Sequence, residues 1–99
     1  MQYLEQKDLK ADVVYLCETY AGNLMLVAYH GTGDNGRYED MENPDSAYLP
    51  SDGYVRYVWD LENTPEEIVF KLTEKQKMYR NFILGWRNRL KVVKFNNIA

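Results

Sequence analysis

A chain of 99 residues, 45% of them apolar, has room for one hydrophobic core and not for two, because a domain of this size buries roughly 65% of its unfolded surface. One cysteine, Cys17, excludes an internal disulfide, and with His30 as the lone histidine the usual zinc ligand sets are excluded within one chain. The net charge of −3 hides an asymmetry: residues 1–70 hold 14 acids and 4 bases, net −10, and residues 71–99 hold 1 acid and 8 bases, net +7, so the halves either neutralise each other or face different charged partners.

The pI near 5.1 counts against a plain nucleic-acid binder, whose domain usually exceeds a pI of about 9. No apolar run approaches the ~20 residues of a membrane span, and the opening Met1-Gln2-Tyr3-Leu4-Glu5-Gln6-Lys7-Asp8 lacks the basic and apolar segments of a signal peptide. The expected location is the cytoplasm, with no membrane partner, and residues 1–99 are expected to form a single domain.

Residues 1–11 carry Tyr3, Leu4 and Leu9 among polar neighbours, the pattern of an arm packed on a core. Asp12–Tyr20 and Asn23–His30 are rich in β-branched, aromatic and aliphatic residues and flank Ala21-Gly22, which predicts a hairpin. Pairing Tyr20 with Asn23 puts Val14, Leu16, Glu18, Met25, Val27 and Tyr29 on one face and Val13, Tyr15, Cys17, Leu24, Leu26, Ala28 and His30 on the other. Both faces are apolar, so the hairpin is either central in a covered sheet or part of a small barrel. Asp8-Leu9-Lys10-Ala11-Asp12-Val13-Val14 resembles the entry of SH3-like barrels; seven residues of common type assign no family.

Residues 31–53 lack periodicity and predict a long acidic loop, with Asp34, Glu39, Asp40, Glu42, Asp45 and Asp52 against Arg37 alone. A loop of that length in a compact domain is usually functional or mobile, so Asp34, Glu39, Asp40, Glu42 and Asp45 are candidate binding residues. Tyr54–Leu61 alternates, with Val55, Tyr57, Trp59 and Leu61 inward. Glu66–Leu72 alternates too, with Ile68, Phe70 and Leu72 inward, and predicts a further strand, although Thr64-Pro65-Glu66-Glu67 is also the form of a helix start.

Thr73 and Gln76 have the spacing of a capping box, and from there Met78, Tyr79, Phe82, Ile83, Trp86 and Leu90 fall on one arc about 140° wide at 100° per residue. That arc predicts the buried face of a helix, with Trp59, Phe70, Phe82 and Trp86 meeting in the core. The opposite face would show Lys77, Arg80, Leu84, Arg87 and Lys91, a basic stripe about 21 Å long. These five are the second set of candidate binding residues. Lys91–Phe95 could add a last short strand.

The remaining constellations are weak. The assumed pairing separates Cys17 from His30 by roughly 13 Å along the strands, too far for a nucleophile and its base. Asp60 and Glu62 would share a strand face as divalent-metal ligands, but no third ligand stands at a recognisable spacing. Gly31, Gly33 and Gly36 lack the Lys-Ser/Thr ending of a phosphate loop. No catalytic residue, metal ligand or cofactor is therefore assigned.

The expected fold is α+β: a small antiparallel sheet of four or five strands, curled and SH3-like as an alternative form, packed against one long C-terminal helix. The expected function is a small non-enzymatic binding protein acting through protein–protein contact, of the kind a phage or mobile element uses against a nucleic-acid-handling enzyme of a defence system. The alternatives are a direct nucleic-acid-binding module using the basic helix and, more weakly, a metal-dependent nuclease at Asp60 and Glu62.

Overall fold

The chain's structure is a computed structural model that describes residues 3–31, 36–43 and 45–97, with residues 86–97 described as helix backbone. The β-branched and aromatic runs form β1 (Val13–Thr19) and β2 (Leu24–His30), joined as a hairpin. Strands β3 (Arg37–Asp40), β4 (Ala47–Tyr48) and β5 (Val55–Asp60) complete one antiparallel sheet in the order β4-β3-β2-β1-β5. The sheet stays open, with β4 at one edge and β5 at the other, and does not curl shut into an SH3-like barrel. The fold is α+β, as the residue patterns indicated.

The hairpin register differs from the expected one by a single residue. Thr19, not Tyr20, pairs with Asn23: the Thr19 N–H donates to the Asn23 carbonyl (2.9 Å) and the Asn23 N–H to Thr19 Oγ1 (3.1 Å). The loop is therefore three residues long, and Gly22 closes it at φ +88, the left-handed position that a three-residue hairpin loop needs and glycine supplies. A one-residue slip exchanges faces. Val13, Tyr15 and Cys17 now lie opposite Tyr29, Val27 and Met25, and Leu16 lies opposite Leu26.

Both faces are covered, so the sheet has two cores. On one side Tyr15, Cys17, Met25, Val27, Tyr29, Tyr38 and Val58 pack with Leu9 and Leu4 of the N-terminal arm. The arm is tied down where the Leu4 N–H donates to the Val58 carbonyl at 2.7 Å, alongside β5. On the other side Leu16, Leu26, Trp59, Leu61, Ile68 and Leu72 form the second core. A register shift between Glu18 and Thr19 turns Val55 toward the first core, while Tyr57, Trp59 and Leu61 face the second.

Two helices roof the second core: α1 (Glu66–Phe70) and α2 (Glu74–Asn97). The predicted strand over residues 66–72 is instead the helix α1 followed by a turn at Lys71 and Leu72. Its start signal, proline followed by two glutamates, outweighed the strand-like Ile-Val-Phe run. Helical spacing buries Ile68 and Leu72 and leaves Phe70 82% exposed. The suggested strand at Lys91–Phe95 is also helix backbone, continuous with α2.

The capping box forms as predicted, with the Thr73 N–H donating to Gln76 Oε1 (3.0 Å) and the Gln76 N–H to Thr73 Oγ1 (3.1 Å). The helix is nevertheless rotated from its expected orientation. Its inward face is Gln76, Arg80, Ile83 and Leu84, whose spacings of four, seven and eight residues trace one side of a helix. Gln76, only 7% exposed, donates from Nε2 to the Leu24 carbonyl at 2.9 Å. Arg80 donates to the Leu61 carbonyl from Nε (3.1 Å) and Nη2 (2.7 Å). Such carbonyls at a strand start and a tight turn need donors when covered, and a polar seam on α2 supplies them. The expected cluster of Trp59, Phe70, Phe82 and Trp86 does not form: Trp59 is 1% exposed, Phe82 is 69% exposed, and the Trp86 side chain lies outside the described residues.

Candidate functional site

The acidic segment is more ordered than its composition suggested. Residues 31–53 contain β3, β4 and a short 3-10 turn at Pro50–Asp52. The Met41 N–H donates to the Leu26 carbonyl (2.9 Å), and the Asp40 N–H to the Ser46 carbonyl (3.1 Å). Glu39 accepts from His30 Nε2 at 2.5 Å, while Asp12 faces His30 Nδ1 at 3.3 Å. Asp40 Oδ1 accepts the Glu42 N–H at 2.9 Å. Of the five acidic candidates, then, Glu39 and Asp40 hold the strand and its turn, Glu42 and Asp45 are exposed, and Asp34 lies outside the described residues.

The basic candidates also divide. Arg80 is turned inward to Leu61, and Leu84 is partly buried against the second core. Lys77 is half-buried, near Glu74 at 3.6 Å and 5.7 Å above the Phe70 ring. The side chains of Arg87 and Lys91 lie outside the described residues. Lys75, which was not among the candidates, sits on the outer side with its ammonium 5.8 Å from the Tyr79 ring centroid.

Neither the Cys17–His30 nor the Asp60–Glu62 constellation assembles. Cys17 is fully buried and burial pushes its thiol well above the ordinary range, the reverse of what an attacking thiolate needs. It lies opposite Met25, five residues from His30 and so roughly 16 Å away along β2. Asp60 ends β5 and Glu62 follows in a 3-10 turn, so they do not share a strand face. The Asp60 carboxylate instead accepts from Asn63 Nδ2 at 3.5 Å. Among the described residues no three His, Cys, Asp or Glu side chains converge as metal ligands, and no helix is long and apolar enough to cross a membrane.

Tyr38 offers a titration check on the first core. Burial, and after it the neighbouring Cys17 and Tyr29, pushes its hydroxyl from 10.0 up to about 12. A raised tyrosine pKa stabilises the fold below pH ~10, and that stability is lost as pH rises, because the unfolded chain gives up the proton first. Denaturant titrations at about pH 9 and about pH 11.5 should therefore show a smaller alkaline loss for Tyr38→Phe than for the parent. Equal losses would mean that Tyr38 ionises freely.

What remains exposed and unexplained is the outer side of α2. Met78 is 71% exposed, Phe82 69% and Tyr79 40%, and with Lys75 they line an open groove of about 460 Å³. A hydrophobicity count places these large residues inward. The signal that places them outward is Gln76: once its amide is bonded to the Leu24 carbonyl at the start of β2, Arg80, Ile83 and Leu84 must follow inward. The chain matches no protein-family model, no curated protein and no solved structure.

Proposed function

We propose that the protein is a small non-enzymatic binding module that acts through protein–protein contact, with the outward row Met78, Tyr79 and Phe82 of α2 as its contact surface. The observation that carries the reading is the burial pattern of α2. One side is fastened to the sheet by Gln76 and Arg80, while three large apolar side chains within two turns stand in solvent on the other. Burying such a side chain contributes about 1.5 to 3 kcal/mol, and a small apolar centre of this kind carries most of the energy in many interfaces. An inhibitor of a nucleic-acid-handling enzyme would work in this way, by covering a surface rather than by turning over a substrate. Direct binding of nucleic acid along the basic stripe has less support, because Leu61 already holds two of the Arg80 donors.

Site-specific photo-crosslinking tests the reading. A benzophenone side chain placed at position 82 should form protein adducts in a lysate of the source cells. One at position 20, where Tyr20 is equally open to solvent, should not. Adducts at position 82 that disappear on nuclease treatment, or adduct patterns identical at the two positions, would contradict a protein-contact role for the row.

A further inference from the structure

We propose that His30 is a proton-operated latch for the N-terminal arm: with both ring nitrogens protonated it holds the turn that leads into β1, and on losing one proton it lets that turn open. The latch lies at a corner of the sheet and involves none of the α2 row. His30 ends β2, and each of its ring nitrogens faces a carboxylate, Nε2 toward Glu39 Oε2 of β3 at 2.5 Å and Nδ1 toward Asp12 Oδ1 at 3.3 Å. An ionised carboxylate only accepts, so each contact needs an N–H from the histidine. An imidazolium has two. A neutral imidazole has one, and its other nitrogen then aims a lone pair at a carboxylate oxygen. The two contacts are unequal: Glu39 is the nearer, and its side chain is 32% exposed against 84% for Asp12. The remaining proton therefore stays on Nε2, and the contact that is lost is the one to Asp12.

The backbone is arranged to present Asp12 to this ring. Asp12 is the one non-glycine residue at positive φ among the described residues, at φ +63, a conformation aspartate tolerates better than most but that still costs free energy. Its N–H donates to the Tyr29 carbonyl at 2.7 Å, beside His30. The turn is also the inner end of the arm, which covers the first core through Leu4 and Leu9, so the latch acts on that cover. Across the sheet Arg37 lies opposite His30, and Glu39 lies opposite Ala28, which places both on the His30 face. The charged groups facing His30 among the described residues are thus Asp12, Glu39 and Arg37, two acids and one base, and a protonated His30 brings the corner into balance. The chain has no second histidine, and burial pushes the Cys17 thiol and the Tyr38 hydroxyl up, away from the pH range of about 5 to 8 in which histidine ordinarily titrates.

The test is amide exchange on the full chain, read by NMR at about pH 5.5 and about pH 7.5 and corrected for the intrinsic pH dependence of exchange. The Asp12 amide, on the Tyr29 carbonyl, and the Lys10 amide, on the Tyr15 hydroxyl, report the turn. The Met41 amide, on the Leu26 carbonyl, reports the β3 side, and the Thr19 amide, on the Asn23 carbonyl, reports the far end of the hairpin. In the parent the turn amides should open about two- to fivefold more often at the higher pH, the range of one exposed charge pair, while the Met41 and Thr19 amides hold steady. His30→Gln and Asp12→Asn should each abolish the difference at the turn. The α-amino group, which also titrates in this range, is left in place by both variants. Nitrogen shifts of the parent's ring should show the Nε2–H form at the higher pH. No difference in the parent, a difference that survives His30→Gln, an equal difference at Thr19, or opening at Met41 in place of the turn would each overturn the proposal. Should neither variant fold, the parent's ring decides: a neutral form protonated on Nδ1 would overturn the latch.

Discussion

Trp59→Ala should destabilise the protein by about 3 to 5 kcal/mol, the range for a large aromatic removed from a packed core. Among the described residues Trp59 is the largest fully buried side chain, 1% exposed. It sits opposite Leu16 of β1 and joins the sheet to Leu61, Ile68 and Leu72 beneath the helices. Collapse into the space is limited, because the strands on one side are hydrogen-bonded and α2 is fastened on the other. A small domain has only about 5 to 15 kcal/mol in total, so this one change should remove much of the stability. Trp59→Phe separates packing from polarity. The Trp59 indole Nε1 is buried without a hydrogen-bond partner among the described residues, and an unmet donor costs about 1 to 3 kcal/mol. Phenylalanine loses some area and also discards that donor, so its cost should stay below about 1.5 kcal/mol. Urea titrations of the two variants check both values; a Trp59→Ala midpoint close to the parent's would remove Trp59 from the core.

Gly36→Ala should be nearly as damaging, for a reason of space rather than backbone conformation. A methyl group on Gly36 would lie 1.8 Å from the Tyr29 hydroxyl oxygen and 2.0 Å from the ring carbon that bears it. Tyr29 is fully buried, with its ring 5.3 Å from that of Tyr38, so it cannot swing away without disturbing the first core. The expected cost is about 3 kcal/mol or more, at the upper end of overpacking. Tyr29→Phe should give no relief, since the ring carbon stays. A smaller residue at position 29 should, so that Gly36→Ala with Tyr29→Leu loses less than the two changes summed. Strict additivity in that double-mutant cycle would show that the two residues do not touch.

Strands β1, β2 and β5 are legible because their residues are β-branched and aromatic and their boundaries are marked by glycine, proline and asparagine, whereas β3 and β4 lie in the stretch expected to be a loop. The register of the first hairpin is not legible, for a definite reason: Val13–Cys17 and Leu24–Tyr29 are apolar on both faces, so a one-residue slip costs the pattern nothing. Only the left-handed Gly22 decides between a two-residue and a three-residue loop. Short pairings such as Glu39 with Ala28 and Ala47 leave little trace in an acidic segment. The helix start at Thr73 and Gln76 is legible in the capping-box spacing, but the inward partner of Gln76 is not. Gln76 and Arg80 serve carbonyls of Leu24 and Leu61 that are distant in sequence, and no periodicity reports such partners. Hydrophobic spacing alone therefore turns Phe82 inward and hides the candidate surface of Met78, Tyr79 and Phe82.

The most direct measurement of that surface is the stability of a variant with Met78→Ser and Phe82→Ser together, compared with Leu84→Ser on the opposite side of the same helix. If the row faces solvent, the double variant should unfold within about 0.5 kcal/mol per site of the parent, as surface substitutions do. Leu84→Ser, which strips a side chain from the second core, should cost more than about 1 kcal/mol. A double variant that loses several kcal/mol while Leu84→Ser melts with the parent would show that α2 is turned the other way, with its apolar row in the core and its basic face in solvent.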